Sequence, residues 1–95
     1  VKALAFTDRA QEDFIEIWNY HAQFGARARD RVIGELRRKT ELISQLPFMG
    51  RPRTDLGPDL RSVISGSYLI IYRVEPDKVE IVRYLHMRRE LKDLV

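Results

Sequence analysis

The side chains best equipped for chemistry lie in the second half of the chain. Arg61, Arg73, Arg83, Arg88 and Arg89 are interleaved with Tyr72, Tyr84 and His86. A guanidinium stays charged and presents paired donors that match phosphate. An imidazole titrates near neutrality and can move a proton, as RNA cleavage by a 2′-hydroxyl requires. A nuclease site would draw on this set. Strand alternation argues for a plainer role. In "VEIVRYLH", Arg83 shares its parity with Val79, Ile81 and Leu85, while Glu80, Val82, Tyr84 and His86 share the other. An arginine on the more apolar face needs a carboxylate partner, so Arg83 fits a structural ion pair as well as a phosphate ligand. His86 reads as a structural or groove-lining residue, and His21, at the edge of a helical stripe, as structural.

Other chemistries are excluded more simply. The chain has no cysteine and only two histidines, so a thiolate site is impossible and a zinc site would need several converging carboxylates. It has no Gly-rich phosphate loop and no HExxH. A Ser-His-Asp set does not follow from chain order. No cofactor and no metal are expected. The net charge is +3, with 8 Lys/Arg against 7 Asp/Glu in residues 1–46 and 9 against 7 in residues 47–95. Neither half is a polybasic tail, so nucleic-acid binding would require a local patch. No apolar run approaches the roughly 20 residues that span a bilayer, and no leader is visible. With no cysteine, the chain fits a reducing, cytoplasmic setting and no membrane partner.

The elements that must hold these residues follow from periodicity and punctuation. The 95 residues suffice for one domain, 1–95, with a modest core. "VKALAF" reads as a short strand. Thr7 offers a helix N-cap, and Asp8 suits the first turn. Ala10, Phe14, Ile17, Trp18 and His21 then form one helical stripe, with Trp18 and Phe14 assigned to the core. Glu12, Asp13, Glu16 and Asn19 fall mostly off it. Gly25 ends this helix. A second helix begins near Ala26 and buries Ile33, Leu36, Thr40, Ile43 and Leu46, with Arg29, Arg31, Arg37, Arg38 and Lys39 around the rest. Glu35 and Lys39 have the spacing of a helical ion pair. Pro47 stops the helix, and "PFMGRPRTDLGP" reads as a loop. "LRSVIS", "YLIIYRV" and "VEIVRYLH" follow as strands, turning at Gly66-Ser67 and "EPDK". "MRRELKDLV" is a short helix or tail. The expected fold is α+β and two-layered, β-α-α-β-β-β, with a helical hairpin packed on an antiparallel sheet and the first strand at an edge beside a later strand.

Three stretches, "AQEDFIEIWNYHAQFG", "LPFMGRPRTDLGPDLRSVISGSYLIIYRV" and "VEIVRYLHMRREL", together resemble the ParE branch of the RelE/ParE toxin superfamily. The resemblance covers nearly the whole chain. It rests on an ordered combination: Asp-x-x-x-Ile-Trp in a helix, Gly-Arg-Pro-Arg after a helix ended by proline, Leu-Arg-Ser, a Tyr-x-Ile-x-Tyr-Arg strand, and Leu-His before basic residues. Arg61 and Arg83 match strand positions where family arginines occur, and His86 matches the usual Leu-His. Met87 stands where many relatives have glycine or another small residue, and Glu90 where aspartate is frequent. Both could alter the chain's final turn.

The resemblance implies a non-enzymatic toxin of a two-gene module that poisons DNA gyrase by stabilising its complex with cleaved DNA. The alternative is a RelE-like ribosome-dependent mRNA endonuclease using Arg61, Arg83 and His86, but no lysine cluster or terminal tyrosine matches that pattern. It also implies neutralisation by a ParD-like antitoxin with a flexible, acidic, amphipathic segment. The pair would be 1:1 and dimerised through the antitoxin into a heterotetramer or larger, which alone would contact operon DNA. On this reading Arg83, His86, Arg88 and Arg89 serve target binding. Ile15, Trp18, Arg31 and Arg38 serve antitoxin binding.

Overall fold

Thr7 starts the first helix as its side chain suggests. Its Oγ1 accepts a hydrogen bond from the Ala10 N–H at 3.0 Å, a cap worth about 1 kcal/mol. In the computed structural model, which describes residues 1–88, β1 (Ala3–Phe6) leads into α1 (Asp8–Ala22) and α2 (Ala26–Gln45). Gly25 makes the turn between the helices at φ 102°, a conformation that L side chains rarely adopt. Leu46 caps α2 immediately before Pro47. It is exposed rather than part of the buried stripe, because the helix has already ended there. Then come β2 (Arg51–Pro52), β3 (Leu60–Ser65), β4 (Tyr68–Val74) and β5 (Lys78–His86).

The five strands form one sheet in the order β1-β5-β4-β3-β2. β3, β4 and β5 are the expected antiparallel meander, and β1 lies at an edge beside a later strand. Two details go beyond the sequence reading. The pair β1–β5 is parallel, so the sheet is mixed. The loop after α2 contains a two-residue strand, β2, paired antiparallel to β3. Pro52 suits that place, since a proline can end an edge strand but cannot donate to a ladder. The Gly66-Ser67 turn has φ 59° at Gly66, the residue that a tight hairpin asks for.

The main core fills the space between the helices and one sheet face. Ile17, Ile33, Leu36 and Ile43 meet Ile70, Tyr72, Val79, Ile81 and Tyr84 there. Burying an aliphatic side chain of this kind contributes roughly 1.5–3 kcal/mol. Phe14 packs against this core, but Trp18 does not lie within it and remains 39% exposed. The opposite face carries a smaller cluster of Leu69, Ile71 and Leu85, covered by Leu56, Leu60, Val82 and Met87.

Strict alternation along β5 fails at Val82. Ile71 pairs with Arg83 and Tyr72 with Ile81, which leaves Val82 as the extra residue of a bulge. Tyr84 therefore joins Val79 and Ile81 on the helix-facing side, and Leu85 turns to the other. The parity assigned to Tyr84 and Leu85 from sequence is thus reversed. The short last helix or tail proposed for "MRRELKDLV" lies, apart from Met87 and Arg88, outside the described residues.

Candidate functional site

β1 accompanies β5 only as far as Ile81, so the backbone of β5 beyond that point needs other partners. The start of α1 supplies them. The Thr7 N–H donates to the Ile81 carbonyl at 3.0 Å, and the Thr7 hydroxyl donates to the Val82 carbonyl at 2.7 Å. The Tyr84 N–H donates to Asp13 Oδ2 at 3.1 Å. Arg83 donates to the same carboxylate through Nε at 2.7 Å and Nη2 at 3.0 Å. Asp13 is only 2% exposed and the Arg83 side chain 19%, so this is a buried, two-pronged ion pair. The carboxylate that Arg83 requires is therefore a helix residue. Asp13 points inward, contrary to its assignment off the α1 stripe. Its partner was implied by Arg83, but nothing in chain order identifies Asp13.

Arg61 is engaged elsewhere. Its Nη1 donates to the Gly50 carbonyl at 2.7 Å, and its guanidinium lies 5.0 Å from the centre of the Phe48 ring. The same loop is held by Tyr72, whose hydroxyl donates to the Pro47 carbonyl and accepts from the Gly50 N–H, both at 2.8 Å. Burial pushes the Tyr72 hydroxyl pKa up, while the Gly50 N–H and the Arg61 charge oppose the shift. A side chain at Gly50 would collide with the Tyr72 hydroxyl and ring. This buttress is legible in neither the proline and glycine spacing nor the strand pattern.

His86 ends β5 opposite Tyr68. Its Nδ1 accepts from the Arg88 N–H at 3.2 Å, and its ring stands edge-on to Tyr68 with centroids 5.4 Å apart. His21 reaches the same tyrosine from α1, with Nε2 and the Tyr68 hydroxyl 2.8 Å apart. The two histidines thus meet across Tyr68 in a cleft of about 630 Å³, which Arg31 of α2 also lines. Arg61, Arg83 and His86 do not converge: one braces the Phe48–Gly50 loop, one is paired with Asp13, and one lines this cleft. Arg88 is exposed just beyond β5, and Arg89 lies outside the described residues. Among the described residues no group of three His, Cys, Asp or Glu could hold a metal ion. No helix there is long and apolar enough to cross a membrane.

The helical hairpin carries the other candidate surface. Ile15 is 59% exposed and lines a groove of about 420 Å³ with Leu4, Phe6, Phe14, Arg37 and Tyr84. Arg37 lies over the Phe14 ring at 5.6 Å, and Arg29 over Trp18 at 4.6 Å. Arg38 binds Glu35 at 2.8 and 3.2 Å, taking the place assigned to Lys39. That hydrogen bond holds the Glu35 carboxyl below its ordinary pKa. Ile15 and Trp18 therefore share the outer surface of α1, whereas Arg31 belongs to the histidine cleft.

Comparison with known proteins agrees with this architecture. Residues 4–91 match the model of the ParE toxin of the type II toxin-antitoxin system, parDE. Over 87 residues, 90% of each chain, the sequence is 36% identical to Toxin ParE1 of Caulobacter vibrioides. A solved chain described as the chromosomal ParDE TA system from P. aeruginosa has the same fold. It superposes with a TM-score of 0.79 at 17% identity, covering 92% of this chain and 97% of that one. With the family model spanning nearly all of the helical hairpin and sheet described above, the chain belongs to the ParE toxin family of type II toxin-antitoxin systems.

Proposed function

We propose that this ParE-family toxin acts without catalysis of its own, holding DNA gyrase on cleaved DNA and so blocking replication. The observation that favours this over mRNA cleavage is the commitment of Arg61 to the Gly50 carbonyl and of Arg83 to Asp13. Two of the three side chains needed for phosphate chemistry are thereby used in holding the fold. Arg83 then contributes to target binding by fixing the end of β5, from which His86 and Arg88 project, with Arg89 following in sequence. Cytoplasmic action follows from that target.

A ParD-like antitoxin is the proposed neutraliser. The groove beside Ile15, with Arg37 and the Trp18–Arg29 pair next to it, suits an amphipathic acidic segment. Such a segment would lay apolar side chains in the groove and carboxylates against the arginines. Arg38 follows Arg37 on α2, and Arg31 lines the histidine cleft instead. We further propose a 1:1 pair that dimerises through the antitoxin, which alone contacts operon DNA.

The deciding experiment incubates purified toxin with gyrase and supercoiled DNA, and separately with translating ribosomes. Accumulation of linear DNA in trapped cleavage complexes, with intact mRNA, is expected. Codon-positioned mRNA cleavage without gyrase trapping would replace this reading with the nuclease one. Light scattering of the co-expressed pair tests the stoichiometry.

A further inference from the structure

The loop after α2 joins a firmly held backbone to an apolar surface. Phe48 is 67% exposed, and Leu46 and Met49 beside it are exposed as well. Single exposed apolar side chains are ordinary, but three within four residues mark a candidate contact surface. The fold commits buried groups to holding this loop in place. The Tyr72 hydroxyl, on a side chain with no exposure of its own, bonds both the Pro47 carbonyl and the Gly50 N–H. The Met49 N–H donates to the Leu46 carbonyl at 3.0 Å. Arg61 bonds the Gly50 carbonyl and places its guanidinium against the Phe48 ring. The backbone is thereby fixed on both sides of Phe48, so its ring is presented to solvent from a preformed position. A side chain held in this way loses little further freedom when it binds, which lowers the cost of association. The charges around it are basic. Arg51 and Arg61 make no ion pair among the described residues, and Asp55 is already held by two hydrogen bonds from Arg53.

We propose that the Phe48 loop is a docking surface for the toxin's protein target, and that it fits an apolar pocket rimmed by carboxylates. Phe48 enters the pocket, Leu46 and Met49 close around it, and Arg51 and Arg61 meet the acidic rim. An aromatic anchor at the centre with charged groups around it is the usual arrangement of a binding hot spot. Two other occupants fit this surface less well. A second copy of the chain would set the same patch against itself, since a two-fold contact places like surface on like. Arg51 and Arg61 would then face their own counterparts, and like charges across an interface oppose association. The antitoxin is the other candidate, but its proposed groove includes Leu4 and Phe6 of β1. Phe48 rests on Arg61 of β3, next to β2 at the opposite edge of the sheet. A segment confined to the groove therefore leaves the Phe48 loop uncovered. The assignment rests on the toxin acting through a protein, as proposed above, and adds a second contact to the one at the end of β5.

The test compares the parent with Phe48→Ser, Met49→Ser and Arg51→Glu. Three quantities are read: growth arrest on induction, binding to the purified gyrase holoenzyme, and affinity for the antitoxin. All three side chains are exposed, so circular dichroism and the urea midpoint should match the parent's. Phe48→Ser should weaken gyrase binding and growth arrest by about tenfold or more, the loss expected of a hot-spot side chain, with antitoxin affinity unchanged. Met49→Ser should act in the same direction and less strongly. Arg51→Glu should weaken gyrase binding, and its deficit should shrink in high salt. If the parent binds no gyrase, the gyrase reading fails while this one is decided by growth arrest. Its loss in Phe48→Ser, with antitoxin affinity intact, would then support docking to another protein. Undiminished growth arrest or gyrase binding by Phe48→Ser, a parallel loss of antitoxin affinity, or no loss with Arg51→Glu would overturn the proposal. So would a parent that arrests no growth, or a parent dimer that Phe48→Ser converts to monomer.

Discussion

β5 passes through two regions built from similar residues to opposite ends. Around Arg83 and Tyr84, an arginine, a tyrosine and an acid are sealed together. Asp13 accepts from the Arg83 guanidinium and the Tyr84 N–H, and the Tyr84 hydroxyl lies 2.9 Å from Thr40 Oγ1. A few residues on, around His86, an arginine, tyrosines and histidines line a cleft. There Arg31 has no acid partner among the described residues, because Arg38 has taken Glu35. Chemistry-bearing side chains near each other do not by themselves make a site. An arginine with no acid partner among the described residues, at the border of a cleft, is what separates the second region from the first.

The sharpest way to break this contrast is to open the sealed region. Asp13→Ala would leave the Arg83 charge and the Tyr84 N–H without their acceptor. Removing one partner of a buried pair typically costs about 3–5 kcal/mol, a large part of the roughly 5–15 kcal/mol that stabilises a domain. Urea denaturation should show a lower midpoint with little change in slope. A loss under about 1 kcal/mol would mean that water already reaches the pair. Arg31→Ala in the open cleft should change the midpoint hardly at all.

A second variant tests the buttress at the far side of the sheet. Gly50→Ala forces a methyl group against the Tyr72 ring, and overpacking of this kind costs about 1–3 kcal/mol. Tyr72→Phe removes the atom nearest that methyl, so in the Gly50→Ala background it should recover part of the loss. If the double variant equals the sum of the singles, the clash is not the cause.

Much of this architecture was legible because it rests on local signals. Thr7, Gly25 and Pro47 mark helix boundaries through capping, positive φ and a missing N–H, and each acts where it stands in the chain. What was not legible depends on neighbours distant in sequence. The β5 bulge arises where β1 stops accompanying the strand and Thr7 takes its place, so no alternation rule within "VEIVRYLH" can reveal it. The need of Arg83 for a carboxylate was foreseen from strand parity, although the bulge makes that parity unreliable beyond Ile81. Asp13 was placed off the stripe and Trp18 in the core because periodicity scores a carboxylate as outward and an indole as inward. The ion pair reverses the first, and the Arg29 contact accompanies the exposure of the second. The histidine cleft joins α1, α2 and two strands, a convergence that no spacing encodes.

The open region should matter more to toxicity than to stability. His86→Ala should reduce toxicity by less than about tenfold, whereas loss of a true general acid or base costs 10²–10⁴-fold in rate. Arg88→Glu together with Arg89→Glu should reduce it further, since charge reversal opposes acidic protein surfaces and DNA phosphates alike. Growth arrest on induction, with circular dichroism unchanged, is the measurement. Abolition by His86→Ala alone, with no effect of the double reversal, would favour the nuclease reading.

The smallest effect concerns the sealed region at alkaline pH. Burial raises the Tyr84 hydroxyl pKa above its ordinary value, and the Thr40 hydrogen bond only partly offsets this. The folded chain therefore holds this proton to higher pH than the unfolded chain does. The resulting stability is fully present below the unfolded value, near pH ~10. It is lost as pH rises through the raised folded value. Tyr84→Phe should cost about 1 kcal/mol at neutral pH, the worth of a typical hydrogen bond. Thr40 keeps its bond to the Leu36 carbonyl in that variant, which limits the damage. Above the unfolded value the parent should lose stability faster than the variant, and the gap between them should narrow. Tyr72 shifts in the same direction in both proteins and so cancels in the comparison. Parallel declines across the alkaline range would show that the Tyr84 phenolate reaches water, and that the region is not sealed.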